Sequence, residues 1–395
     1  MTSYRLALSN LFHDRGRSAV SVTGAAFAVV LIFMQLGFLG ATQNTATLLY
    51  DRLNFDLLIT SSEYIDFSRP GAVTRTRLAQ ARAIEGVTDV LPFSTAQGLW
   101  RNPTADPVRG GKRWAIVILS ANPADFDAIF LPQNRGVFAT ATDRDAARSA
   151  LSRLDTVMLD RRSRPDFGDP NVMPPGTTTE FNGQRVELAG YFELGTGFSY
   201  TGLLLANEET FTNLTARSPS DVTFGLVKLR PGEDPNVAAA RLRATLPADV
   251  LVYTRDQINT QEQTYWVSKT AVGKFFYFGV LLALMVGAIF VYQMMVADIK
   301  KHLPEYATLK AMGYRFGYLF WIVVWQALFL SIAGYLGGFV AALGLYEVTK
   351  SAAHLPVTMT LDRVVLVFLL TVGMCVGSGL IAVRKVKNAD PADLF

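Results

Sequence analysis

The sequence predicts an α-helical membrane protein with four transmembrane helices and an α+β domain inserted between the first and the second. Three observations predict it. Half of the 395 residues are hydrophobic and only 18% are charged, and the charges are frequent across residues 51–274 but scarce on either side. Four apolar stretches, without Asp, Glu, Lys or Arg over most of their length, are each long enough to cross a hydrocarbon core of about 30 Å at about 1.5 Å per residue. The charged middle segment alternates strand-like runs with helix and turn signals, as a folded domain does and a linker does not.

Residues 1–17 precede the first span. Tyr4, Leu8, Leu11 and Phe12 fall on one helical face with Arg5 and Ser9 elsewhere, the pattern of an amphipathic helix lying in the membrane interface. Residues 18–41 form the first span. A cleaved signal peptide has an apolar core of only about 7–15 residues, which this stretch exceeds. Residues 273–297 form the second span, 316–346 the third and 364–383 the fourth. A charge at mid-membrane costs roughly 2.5–3.5 kcal/mol, so stretches free of charge at this length are a specific signal.

Orientation follows from the basic residues beside the spans. Arg5, Arg15 and Arg17 precede the first. Lys300, Lys301, Lys310 and Arg315 lie between the second and third, and Arg384, Lys385 and Lys387 follow the fourth. The loop at 347–363 has Lys350 and Arg363, offset by Glu347 and Asp362. The positive-inside rule puts both termini and the 298–315 loop in the cytoplasm, and residues 42–272 outside.

Within that external segment, LNFDLLIT at 53–60, RWAIVILS at 113–120, TVML at 156–159, 186–191 and 223–229 read as strands. Residues 74–84 and 235–246 read as helices, the second with Asp234 as N-cap and Pro235 as first helical residue. Pro, Gly and Asp crowd 164–176, an exposed loop. Gly195 and Gly197 mark a strand-to-strand turn.

The cytoplasmic stretch 298–313, DIKKHLPEYATLKAMG, reads as one short helix carrying Lys300, Lys301, His302, Glu305 and Lys310. Pro304 suits its first turn and Gly313 the position just past its end. The bland alternative is a loop helix whose charges are simply solvated, with Lys301 and Glu305 as an ordinary i,i+4 pair. Within the spans, Gly334 and Gly338, and Gly373 and Gly377, make GxxxG pairs suited to helix packing or to a dimer seam. Gln35, Gln293 and Gln326 need hydrogen-bond partners in a dry bilayer.

Several chemistries are excluded. The chain has no P-loop, no HExxH, no GxSxG and no CxxC. Its one cysteine, Cys375, rules out an internal disulfide, and His13, His302 and His354 show no ligand spacing, so no metal site is expected. The net charge of +4 comes largely from topology signals, which argues against a nucleic-acid partner. With no acidic or basic residue at mid-span, ion-coupled pumping is disfavoured. An energy source must come from another chain, so no cofactor is expected here, ATP and Mg being bound by that partner.

The order of interfacial helix, span, large external domain and three spans, with EYATLKAMGY at 305–314 and RKVKNADPADLF at 384–395, resembles the MacB/LolC/FtsX (type VII) superfamily of ABC transporter permeases. YFELGTGFSYTG at 191–202, GLVKLRPG at 225–232, EQTYW at 262–266 and LPVTMTL at 355–361 bring it nearest the DevC-type exporter branch. The resemblance spans essentially the full length. It implies a MacB-like periplasmic domain, a homodimer in the bacterial inner membrane, an ABC ATPase pair, a periplasmic membrane-fusion adaptor and an outer-membrane channel of the TolC type. It also implies mechanotransmission, in which closure of the ATPases moves a cytoplasmic handle and the helices relay that motion outward.

Carried onto this chain, the ATPase-coupling residues are Lys300, Lys301, His302, Glu305, Tyr306, Leu309, Lys310, Met312 and Gly313. Arg384, Lys385, Asp390 and Pro391 form a second cytoplasmic contact. The cargo would be a lipid, a glycolipid or another hydrophobic or periplasmic substrate. The alternative within the superfamily is an FtsX-like regulator that activates a cell-wall hydrolase without transport. A membrane-anchored enzyme fits least, since the external segment shows no catalytic constellation.

Overall fold

The computed structural model describes residues 15–103, 111–132, 136–302, 312, 316–353 and 356–387. The chain divides into two units, Thr42–Thr270 and the remainder on either side of it. Helix α1 (Arg15–Ala46) opens the chain and α2 (Leu48–Arg52) follows after one residue. The inserted unit then runs β1 (Leu57–Ser61), β2 (Val73–Thr74), α3 (Arg75–Arg82), β3 (Val87–Arg101), β4 (Arg113–Ser120), α4 (Phe126–Ile129), α5 (Ala141–Ala150), β5 (Thr156–Asp160), β6 (Thr178–Phe181), β7 (Gln184–Phe192), β8 (Leu203–Ala206), α6 (Glu208–Thr215), β9 (Asp221–Val222), β10 (Phe224–Leu229), α7 (Pro235–Thr245), β11 (Val250–Thr254) and α8 (Arg255–Thr264). A π-helical turn, Tyr265–Lys269, closes it. Helices α9 (Ala271–Lys301), α10 (Phe316–Ala353) and α11 (Leu361–Lys387) complete the chain.

Four helices are long and apolar enough to cross a membrane: Ser18–Ala46, Ala271–Lys301, Phe320–Ser351 and Leu361–Arg384. They outrun the expected spans because helical hydrogen bonding continues through polar residues such as Thr42 and Thr45. Asp298, Lys300 and Lys301 accordingly sit on the last turn of α9 and not on a separate short helix. A shared interior joins Ala25 and Ala28 of α1, Val291 and Met295 of α9, Ala327 of α10 and Cys375 of α11. Outward positions are large and apolar: Phe275 is 67% exposed and Val340 68%. Such a surface suits hydrocarbon as its solvent.

The inserted unit is built on a nine-stranded sheet in the order β11-β1-β10-β3-β4-β8-β5-β7-β6. Strand β3 unites two lobes. Its first half pairs with β10 through Phe93↔Phe224 and its second half with β4 through Ser94↔Ser120. A further contact, Trp100↔Phe181, brings β6 back to β3 and wraps the second lobe around its own core. That core holds Trp100, Ile118, Leu159, Phe181 and Leu188, with the indole N–H of Trp100 donating to Phe167 O at 2.9 Å. In the first lobe, α3 and α7 cover one face of the sheet through Leu78, Ala238, Ala239 and Leu242. Phe93, Phe126, Phe130 and Phe138 pack on the other face.

Most sequence-predicted elements lie where expected. The N-cap Asp234 accepts from Asn236 N at 2.8 Å. Two expectations change. The 53–60 stretch is strand only from Leu57, because the carbonyls before it are taken by a side chain described below. The 164–176 loop is not wholly exposed, since Phe167 and Met173 plug the second core.

Candidate functional site

The chain enters the inserted unit through α2 and leaves it through α8 and the π turn. These two segments are stitched together, and the stitching residues come from one helical face. Arg255, Ile258 and Glu262 are spaced i, i+3 and i+7, so they align along α8. The helix that presents them is well specified. Thr254 and Gln257 form a capping box, with Thr254 Oγ1 accepting from Gln257 N at 3.3 Å and Gln257 Oε1 accepting from Thr254 N at 3.1 Å.

At one end of this face Arg255 donates Nη1 to Tyr50 O at 2.7 Å, and Nη2 to Leu53 O at 2.8 Å and Phe55 O at 2.9 Å. Its guanidinium also stacks over the Phe55 ring at 4.1 Å. Three carbonyls at a helix end and in an irregular strand entry thus find donors that no neighbouring strand supplies. Burial lowers the Arg255 pKa, while Asp51, Asp56 and Asp256 work to hold the charge. In the middle, Ile258 is fully buried in the first core.

At the other end Glu262 is fully buried. Tyr64 donates its hydroxyl to Glu262 Oε1, and the Tyr64 and Tyr50 hydroxyls lie 2.7 Å apart. A chain of polar contacts therefore runs from α2 through the β1–β2 segment to α8. Burial pushes the Glu262 carboxyl up to about 8, and the nearby Asp66 charge pushes the same way. The Tyr64 hydroxyl, the Phe67 N–H and the Trp266 indole act against that rise. Trp266 Nε1 turns toward the carboxylate without reaching hydrogen-bond geometry. Glu262 Oε2, Tyr200 Oη and Ser199 Oγ likewise make no hydrogen bond among the described residues. Burial raises the Tyr50, Tyr64 and Tyr200 pKa values, so these phenols stay protonated.

A second grip comes from the β7–β8 turn. Asp160, at the end of β5, accepts from Arg162 N at 3.1 Å, Leu194 N at 3.1 Å and Gly195 N at 2.8 Å. Burial raises its pKa against those three donors. Gly195 adopts φ +111°, and a Cβ there would stand 3.0 Å from Leu48 Cδ2. Phe198 N reaches Thr45 Oγ1 at 3.5 Å. The turn thus holds the start of the inserted unit from a second side.

The sequence-predicted residues fall elsewhere. Lys300 and Lys301 end α9 exposed, while His302 is 6% exposed. The His302 Nε2 lies 3.7 Å from Asp298 Oδ1, and Asp298 Oδ2 accepts from Gln326 Nε2 at 3.1 Å, tying α9 to α10. Met312 is exposed. Glu305, Tyr306, Leu309, Lys310 and Gly313 lie outside the described residues, as do Asp390, Pro391 and the expected interfacial helix up to Asp14. Arg384 is exposed near the end of α11, and Lys385 follows it on that helix.

Gly334 and Gly338 face α1: added Cβ atoms would stand 2.6 Å from Ala25 Cβ and 2.6 Å from Val29 Cβ. Gly373 and Gly377 have nothing within 4 Å at that position. Close approaches that GxxxG spacing does not flag occur at Gly24, against the Phe290 ring, and at Gly279, against Gln35. The root residues Arg255, Tyr50 and Glu262 were also missed as a site. Their one sequence signal was a Glu on the same helical face as an Ile in an otherwise polar helix.

A family model described as the MacB-like periplasmic core domain matches residues 18–245, and one described as the FtsX-like permease C-terminal matches residues 277–391. The periplasmic region of MacB from Actinobacillus actinomycetemcomitans is similar at 16% identity and a TM-score of 0.35, over 52% of this chain and 90% of that one. The extracellular domain of the noncanonic ABC-type transporter YknZ from Gram-positive bacteria is similar at 15% identity and a TM-score of 0.34, over 51% of this chain and 99% of that one. No curated protein matches the chain. With one model taking the first span and most of the inserted domain and the other the last three spans, the chain belongs to the MacB/FtsX family of ABC transporter permeases.

Proposed function

We propose that this chain is the non-catalytic permease subunit of an ABC exporter of the DevC-type branch, working as a homodimer in a bacterial inner membrane. Both termini and the 298–315 handle face the cytoplasm, and the inserted domain faces the periplasm. A separate ATPase pair drives the handle through Glu305, Tyr306, Leu309 and Lys310. The inserted domain passes the motion to a membrane-fusion adaptor and an outer-membrane channel, and the cargo is a lipid, a glycolipid or another hydrophobic substrate.

The observation that supports this reading is the pair of stitches at the domain root. Arg255 and Glu262 bind the segment arriving from α1 to the helix leading into α9. Displacement of either connection then reaches the same strands as one movement, as mechanotransmission requires. Two of the four stretches that carry the DevC-type resemblance fall on this root: 191–202 contains Gly195 and Tyr200, and 262–266 contains Glu262 and Trp266.

The test is ATP turnover and cargo movement by the reconstituted complex after Glu305→Ala and Lys310→Ala. Loss of coupling, with ATP consumed and cargo retained, is expected. Unchanged turnover and transport would refute the handle. A wild-type complex that turns over ATP but moves no cargo, and instead activates a cell-wall hydrolase, would place the chain with the FtsX-like regulators.

A further inference from the structure

Helix α8 has two unlike sides. Its root-facing side carries Arg255, Ile258 and Glu262. The opposite side, with Asp256, Gln257, Thr260 and Gln261, borders an open cleft of about 870 Å³ shared with β11 and the end of α7. The helix ends in a π-helical turn, Tyr265–Lys269, in which Thr270 N bonds Tyr265 O at 3.2 Å before the backbone turns extended at Thr270. π-Helical turns are rare and frequently sit at functional sites. The fully buried Glu262 stands one turn before it.

The groups around Glu262 come from every neighbouring element. Tyr50 belongs to α2, Tyr64 and Asp66 to the β1–β2 segment, Tyr200 to the β7–β8 turn and Tyr253 to β11, and Trp266 lies on the π turn itself. The Asp66 carboxylate is 2% exposed and pairs with Arg69 at 3.3 Å, and Arg69 in turn reaches Tyr265. Around the Glu262 carboxyl there are thus phenols, an indole and a second acid. Arg69 is committed to Asp66 and Tyr265. Ionising Glu262 adds a second buried negative charge beside Asp66. A neutral one still accepts from Tyr64 at Oε1 and keeps the Tyr50–Tyr64–Glu262 chain without that charge.

We propose that Glu262 is a proton-operated latch on the hinge into α9: neutral, it closes α8 onto the Tyr50–Tyr64 pair, and ionised, it releases α8 toward the open cleft and lets the Tyr265–Lys269 turn rewind. Burial and Asp66 set the Glu262 carboxyl at about 8, so the latch is closed at neutral pH and opens in mild alkali. The consequence for export rests on the mechanotransmission reading, whereas the latch itself does not. It is tested on the full-length chain in lipid nanodiscs without any ATPase, so failure of one is distinguishable from failure of the other.

The experiment is hydrogen–deuterium exchange of amides 262–270, expressed as protection relative to the intrinsic rate, between about pH 6.5 and about pH 9. Wild-type protection is expected to fall at least tenfold across that range. Glu262→Gln, which keeps the neutral shape, is expected to hold its protection at both ends. Asp66→Asn is expected to keep the transition but move its midpoint to lower pH. A flat wild-type profile overturns the latch whatever the variants do. So does a Glu262→Gln profile that falls in parallel with wild type.

Discussion

Arg255 Nη1 lies 2.7 Å from the carbonyl oxygen of Tyr50, joining residues 205 positions apart in the chain. The same guanidinium serves Leu53 and Phe55, so one side chain closes the gap between the segment that enters the inserted domain and the helix that leaves it. A planar fork reaches several carbonyls in different directions, which the compact ammonium of Lys cannot do.

Replacing Arg255 should therefore be costly, and Lys should not rescue it. Hydrogen bonds to charged groups are worth about 1.5–3 kcal/mol each, and they are not additive. Arg255→Ala is expected to destabilise the inserted domain by about 3 kcal/mol, with Arg255→Lys within about 1 kcal/mol of it. Thermal unfolding of the purified chain, followed by near-ultraviolet circular dichroism, checks this.

Stability should also depend on pH through Glu262. Its folded-state pKa of about 8 stands above the ordinary value of 4.5, so the folded chain binds the extra proton between the two. Stability is then lost as pH rises from about 4.5 to about 8, by up to about 1.4 kcal/mol per pH unit, and is flat for this group outside that window. Glu262→Gln is expected to remove this slope. Thermal midpoints of wild type and variant across pH 5 to 8 measure it directly.

Asp160 predicts a more local effect. Its carboxylate holds the Leu194 and Gly195 amides and, through them, the turn against Leu48. Asp160→Ala leaves those donors buried without an acceptor, an expected loss of about 1–3 kcal/mol. Gly195→Ala adds strain at a positive φ and meets Leu48 as well. Both variants should become more susceptible to proteolysis at 193–200, whereas Glu193→Ala, at an exposed ion pair with Arg162, should behave as wild type.

The two GxxxG pairs should separate in their effects. Gly338→Leu pushes α10 off Val29 of α1 and is expected to lower stability by about 1–3 kcal/mol. Gly373→Leu and Gly377→Leu enter open space and should leave the stability of the chain within about 0.5 kcal/mol. If that open face of α11 meets a second copy in the proposed homodimer, energy transfer between differently labelled copies in liposomes will fall in these two variants and not in Gly338→Leu.

Span number, the inserted domain and the absence of nucleotide-binding motifs were legible in the sequence, because each is a local property. A run of apolar residues must be helical in hydrocarbon, since each buried peptide group needs a partner within its own segment. Strand β4, with RWAIVILS at 113–120, and helix α7, with its Asp234 cap, declare themselves in the same local way. Strand β8, LLLA, did not, because a short apolar run carries no period that distinguishes strand from buried helix. The start of β1 was misread because Arg255, about 200 residues later, takes the carbonyls that a strand would have shared.

The sequence by itself determined that four stretches are long and apolar enough to cross a membrane, which stretch is inserted between the first and the second and that no nucleotide-binding motif lies within it. Those outcomes follow from hydropathy, charge and motif spacing, all read over short windows. Only the tertiary structure decided that Arg255 and Glu262 face the segment that follows the first span, and that Gly334 and Gly338 face α1 while Gly373 and Gly377 face open space. Identical glycine spacing and an ordinary glutamate acquire different physics from what packs against them. Burial, which no window reveals, turns Glu262 from a solvated charge into a buried carboxyl with a raised pKa that links the two ends of the inserted domain.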